Sequence, residues 1–250
     1  RLKPKHKQKP PSRIQLSIGS VDIRHADLRY DVLNAPHTPN VFNVKHIRLK
    51  DMELAAMLPI VGNDSVAVRL DRLAATEASG FKLNDLTATV FYTPKSLEIQ
   101  SLSVALPNTN VRLGNIKLRY DSVAMIKNLG RSIPVRLKLL DGSHITPSDL
   151  SSLVPALKAV DENYDLAIEG YGTLSDLTIN TFKISHPGLA LSIQGRFNID
   201  SLSCKDLHLL GNIRAVKVAA MLDKAQLGIS PKILADITRL GNVRVDINAY

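Results

Sequence analysis

Residues 97–120, LEIQSLSVALPNTNVRLGNIKLRY, alternate apolar and polar side chains almost throughout and break the rhythm twice. Leu97 and Ile99 are followed by Leu102, Val104 and Leu106, and Val111 and Leu113 by Ile116, Leu118 and Tyr120. One extra residue enters at Gln100-Ser101 and another at Gly114-Asn115. Strand side chains point to opposite faces with a period of two, so an unabsorbed insertion would turn every later apolar residue to the wrong side. A bulge absorbs the insertion, restores the apolar face and adds twist, and Gly114 carries no side chain to obstruct it. The pattern predicts long strands that curve while one face stays apolar. Such a sheet forms either a closed core or an open trough, and alternation is compatible with both.

The same period recurs along the chain, at residues 14–18, 66–70, 135–139, 189–193, 197–199 and 243–247. Polar residues fill the intervening positions, as expected of an antiparallel sheet with one wet face. Turn signals stand at residues 107–110, at His186-Pro187-Gly188 and at Asp141-Gly142. The fold class expected is mainly β, with a few short helices. One helix is expected after Thr146-Pro147-Ser148-Asp149, where a capping residue precedes proline, with Leu150, Leu153, Val154 and Leu157 on one face. Pro155 should kink or shorten it. Shorter helices are expected at MELAAML (52–58) and VKVAAML (216–222). An Asp followed by an apolar residue recurs near strand starts, at Asp27, Asp51, Asp85, Asp176 and Asp206. Degenerate β repeats and the ordinary preference of Asp for turns explain this equally well.

With 250 residues the chain can bury a real core. Its net charge of +9 is concentrated at the start: residues 1–13 carry six cations and no acid, which leaves +3 for the rest. The body is therefore no electrostatic glove for phosphate, and no nucleic-acid partner is expected. The Pro-rich basic leader reads as a linker or juxtamembrane segment, or as a contact for anionic headgroups. The body, 14–250, reads as one β-rich groove domain, or two repeat-like halves with a break near 123–133. No Trp and few aromatics argue against a carbohydrate platform or a barrel with aromatic girdles. The abrupt start and the strand-like end read as a piece excised from something longer.

Chemistry-bearing constellations are missing. The lone Cys204 has neither a disulfide partner nor metal-type spacing. The histidines show no HxH or HExxH pattern, and His25, His46 and His208 read as surface residues of strands. Gly170-Tyr171-Gly172 is no phosphate loop, and no nucleophile elbow occurs. Neither an enzyme, a cofactor nor a metal site is expected.

Residues 79–122, SGFKLNDLTATVFYTPKSLEIQSLSVALPNTNVRLGNIKLRYDS, resemble a recurrent unit of TamB-like translocation and assembly proteins of Bacteroidetes-type bacteria, within the wider AsmA-like group. Residues 144–202 are similar to a second stretch, a short "DL…PAL" helix before a glycine-punctuated run of strands, and residues 228–250 to the segment after it. The resemblance implies an elongated, curved, folded-over antiparallel sheet with a hydrophobic groove, in the periplasm of a Gram-negative bacterium. It implies anchoring to the inner membrane through a segment absent from this chain. It further implies carriage of phospholipid between the membranes, or assistance to outer-membrane barrel assembly beside a barrel-assembly protein. On that reading acyl chains are the ligand, and Leu97, Ile99, Leu102, Val104, Leu106, Val111, Leu113, Ile116 and Leu118 are the candidate groove lining. Those residues would equally fill a closed core.

Overall fold

The computed structural model describes residues 15–36, 41–62, 64–122, 124, 125, 130, 131, 133–224 and 229–249. The leader expected at 1–13 lies outside them. The protein is mainly β: one large antiparallel sheet that does not close into a barrel, with few short helices.

The first half of the sheet is a meander of long strands, β1 (Gln15–Asp31), β2 (His46–Gly62), β3 (Val66–Glu77), the short β4 (Lys82–Leu83), β5 (Asp85–Thr93), β6 (Ser96–Ala105), β7 (Asn110–Arg112) and β8 (Ile116–Arg119). The second comprises β9 (Val135–Lys138), β10 (His144–Ile145), β11 (Tyr164–Thr173), β12 (Asp176–His186), β13 (Leu189–Asn198), β14 (Ser203–Arg214) and β15 (Asn242–Ala249). Between β14 and β15 lie helices α1 (Ala215–Lys224) and α2 (Pro231–Arg239). Hydrogen bonding runs without interruption in the order β1-β2-β3-β5-β6-β7-β10-β11-β12-β13-β14-β15, with β4, β8 and β9 pairing β3, β6 and β11 beside this path. At about 4.8 Å per strand, the path is about 50 Å long. The halves join where β7 pairs β10, where Leu113 bridges Leu139, and where the Gly114 N–H donates to Lys138 O at 2.8 Å.

The two breaks of rhythm turn out to be a matched pair. Ser103 faces Arg112 on one side of them and Ile99 faces Ile116 on the other, so both strands traverse the same number of residues and the register survives. Against β5 the extra residue of β6 is a true bulge, stepping the register between Thr87 and Thr89, and Ser101 takes a positive φ of 53°. Further steps fall beside it: β2 and β3 slip between Ala55 and Ala56, and β1 and β2 between Ile23 and Ala26, where His25 and Asp51 have φ of 53° and 51°. In the second half a like line crosses β11 at Glu169/Gly170, β12 between Ile179 and Phe182, and β13 and β14 near Gly195 and Asp206. Neighbouring bulges aligned across strands crease a sheet, because each bends its strand and adds twist.

Two of the recurrent aspartates, Asp51 and Asp206, are themselves bulge residues with positive φ. Aspartate tolerates that conformation better than most residues. Asp27 accepts the Asp51 N–H at 3.2 Å, and Asp85 and Asp176 open β5 and β12.

Three helix expectations fare differently. Residues 216–222 lie in α1 as expected. MELAAML lies inside β2: Met52, Leu54, Ala56 and Leu58 also fit a period of two, and strands pairing on both sides settle the matter. The helix expected after Thr146 is two separate 3-10 turns, Pro147–Leu150 and Pro155–Ala159. Pro155 starts the second turn and so ends any continuous helix. Thr146 supplies no side-chain cap there; its hydroxyl donates instead to Asn108 O at 3.1 Å. Leu153 and Val154, expected on the apolar face of that helix, are exposed.

Candidate functional site: an aliphatic sheet face

Facing residues in antiparallel register share a face, so the pairings trace what each face carries. In the first half, Val21, Ile23 and Leu28 of β1 stand opposite Ala56, Leu54 and Leu49 of β2. Leu54 and Ala56 stand opposite Leu73 and Leu70 of β3, and Val68 opposite Val90 of β5. Tyr92, Val90 and Leu86 of β5 meet Leu97, Ile99 and Val104 of β6. Those three meet Leu118, Ile116 and Val111. Leu102 is joined to Leu113 by its carbonyl, which accepts the Leu113 N–H at 2.8 Å. The same face continues across the seam through Leu166–Ile184–Leu191 and Ile168–Phe182–Ile193–Leu209–Ile247 to Val243 and Val245 of β15. It is one aliphatic surface running the length of the sheet.

The opposite face is charged. Glu53 pairs with Arg72 at 2.7 Å, Glu98 with Lys117 at 3.1 Å, Glu169 with Lys138 at 3.3 Å and Asp176 with Arg196 at 2.6 Å, all across neighbouring strands. Hydrogen bonding from Gln100 and then Lys117 holds the Glu98 carboxyl below its ordinary range. Exposed pairs of this kind stabilise little, but they leave the two faces chemically opposite.

The nine candidate lining residues divide into two groups. Leu118 is 2 % exposed and with Tyr120 and Ile133 forms a dry cluster at one margin, against which Leu97 and Ile116 pack. Burial raises the Tyr120 phenol above its ordinary range, and its hydroxyl donates to Thr93 O at 2.8 Å. Leu106, beyond the end of β6, is buried too. Ile99, Leu102, Val104, Val111 and Leu113 are only half-buried. They share a face but lie outside the dry cluster.

A face clamped under a second layer would be dry, as sandwich interiors are. Here the large aliphatic side chains of the long strands stay mostly half-buried, while the small Ala56 and Ala88 on the same face are buried. The apolar positions are nevertheless better covered than the polar ones across the sheet, as the alternation of half-buried and exposed residues in β13 and β14 illustrates.

Glycines along β11 mark close backbone approach. A Cβ on Gly172, at φ +132°, would lie 2.0 Å from Asp176 O, and one on Gly170 2.9 Å from Thr178 O. These glycines fit the β11–β12 hairpin.

Among the histidines, His25 is exposed and meets Asp51 at 2.6 Å. His46 departs from the surface expectation: its side chain is 10 % exposed, between Asp31 Oδ1 at 3.1 Å and Ala35 O at 3.0 Å. Alternation placed it on a strand, but the β1–β2 turn folds over it. Among the described residues no group of three or more His, Cys, Asp or Glu converges as metal ligands, and no helix is long and apolar enough to cross a membrane.

No family model, curated protein or solved structure matches this chain.

Proposed function

We propose that the chain is a non-catalytic segment of a cell-envelope protein whose aliphatic face conducts phospholipid acyl chains. The supporting observation is the continuity of that face from β1 to β15 with half-buried, unsealed side chains. An acyl chain spans about half of the ~30 Å bilayer core, so the face accommodates several end to end. Each methylene withdrawn from water gains about 0.8 kcal/mol. From β5 to β8 the face carries only aliphatic residues and Tyr92, so no ion pair pins a chain at one station. Uniform cover of this kind favours sliding over fixed binding. The periplasmic setting and the TamB-like kinship belong to the same proposal, and rest on the resemblance given above.

The test is purification without detergent followed by lipid mass spectrometry, with titration of a fluorescent fatty acid. Phospholipid should co-purify, and the fatty acid should bind and be displaced by phospholipid. A lipid-free protein that ignores the fatty acid defeats the proposal.

A second reading is favoured by the sheet's ends. Among the described residues β1, 17 residues long, pairs only β2, and β15 pairs only β14, so each presents an outer edge for strand addition. In a barrel-assembly role, crosslinkers placed on β1 would reach a barrel-assembly protein, and trough substitutions would be harmless. Crosslinks confined to lipid would exclude it.

A further inference from the structure

The meander sends every other connection to the same margin of the sheet. There lie the β1–β2 turn, the segment around β4, residues 106–109, residues 146–163, the β12–β13 turn and the α1–α2 hairpin. Contacts between them tie this margin into a rim. The Phe42 N–H donates to Ser152 O at 2.8 Å, and the Phe42 ring lies 6.2 Å from that of Phe81. The Asn108 N–H donates to Asp149 at 2.8 Å, and Lys224 reaches Asp161 and Glu162, each at 3.2 Å.

This rim carries exposed aliphatic side chains. Leu33 is 94 % exposed and Leu240 64 %, and Val44, Leu153, Val216 and Ile233 are likewise open to solvent. On the other margin the exposed large aliphatics among the described residues are Ile199 and Leu202, both at the β13–β14 turn. Cations accompany the rim's exposed side chains. Among the described residues Lys45, Lys158, Lys217 and Lys232 have no ion-pair partner, whereas Asp149, Asp161, Glu162 and Asp236 of the rim are engaged, Asp236 by Arg239.

We propose that this rim docks on an anionic phospholipid surface, with the aliphatic tips entering the headgroup boundary and the lysines above them. A protein partner recognises a compact patch of about 800 Å² per side. These tips project from separate turns and helices, and each can dip independently into a fluid plane. Aliphatic tips beside unpaired lysines are also the composition that holds peripheral segments at anionic membranes. The rim stands apart from whatever the trough carries.

The full chain is sedimented with phosphatidylcholine vesicles, with and without phosphatidylglycerol. Binding should require phosphatidylglycerol and weaken with salt. Joint replacement Leu33→Ser, Leu153→Ser, Ile233→Ser and Leu240→Ser should weaken partitioning at least about tenfold, while Leu202→Ser on the far margin should not. Lys158→Ala, Lys217→Ala and Lys232→Ala should each cost about fivefold. All these side chains are exposed, so circular dichroism should be unchanged, and any trough lipid should still co-purify. Wild-type partitioning by the four-site variant, equal loss from Leu202→Ser, or concentration-dependent self-association abolished by the rim substitutions would overturn the proposal.

Discussion

Replacing Val104 by Asp and Leu118 by Ala separates an open trough from a closed core. Both residues lie on the same face of adjoining strands, Val104 between Leu86 and Val111, Leu118 opposite Leu97. They differ in cover. Val104 is half-buried, whereas Leu118 is 2 % exposed within the dry cluster. Fully burying a valine is worth about 1.5 kcal/mol or slightly more, so half-burial at Val104 is worth about 1 kcal/mol. A carboxylate placed there stays hydrated and adds little further cost. Leu118→Ala leaves a cavity and should cost about 3 kcal/mol, in the usual range for buried leucines. Urea unfolding should therefore rank Val104→Asp as the milder change. Acyl occupancy should reverse that order. A charge at position 104 must be desolvated beneath any chain that passes, at several kcal/mol, so lipid recovered by mass spectrometry should fall at least about a hundredfold. Leu118→Ala, if folded, should retain its lipid. If Val104→Asp destabilises as much as Leu118→Ala, the face is sealed and the trough reading fails. If occupancy is unchanged, acyl chains do not pass that point.

Three further outcomes follow from the geometry. Deleting Ser101 alone unbalances the matched insertions and should cost about 1–2 kcal/mol, whereas deleting Asn115 as well restores equal counts, so the double deletion should be more stable than the single effects sum to; strict additivity in urea unfolding would contradict the pairing. Gly172→Ala should cost at least about 2 kcal/mol, because its Cβ meets Asp176 O and its φ is positive. Gly241→Ala, at φ +68° with open space around it, should cost about 1 kcal/mol; equal melting temperatures for the two would refute the close approach. Burial opposes ionisation of Glu77, but hydrogen bonds from Ser79 and the Arg48 backbone outweigh it and hold its carboxyl below the ordinary glutamate range. That stability is present above the unfolded glutamate value of about 4.3 and lost as pH falls through the lower folded one, so the advantage of wild type over Glu77→Gln should shrink in acid; a pH-independent difference would rule the linkage out.

The alternation of residues 97–120 determined a good deal unaided. It announced strands, an apolar face and the places where the backbone bends, because side-chain direction in a strand depends only on position along it. The strands at 66–70, 189–193 and 243–247 were legible for the same reason. Other features waited on partners far away in sequence. Residues 52–58 satisfy both helical and strand periods, and only pairing with β1 and β3 chose between them. Nothing local says that the insertion at Ser101 lies across from the one at Gly114-Asn115, or that Asp51 and Asp206 hold positive φ. The division of the lining into dry Leu118 and half-covered Val104 was equally invisible, since both are aliphatic residues in the same alternating pattern. The rim lay beyond sequence reading too, because its members are scattered through turns that only the meander gathers on one margin. A strand's own residues set which way each side chain points; what covers that side chain is set by the rest of the chain, and cover separates a core from a surface.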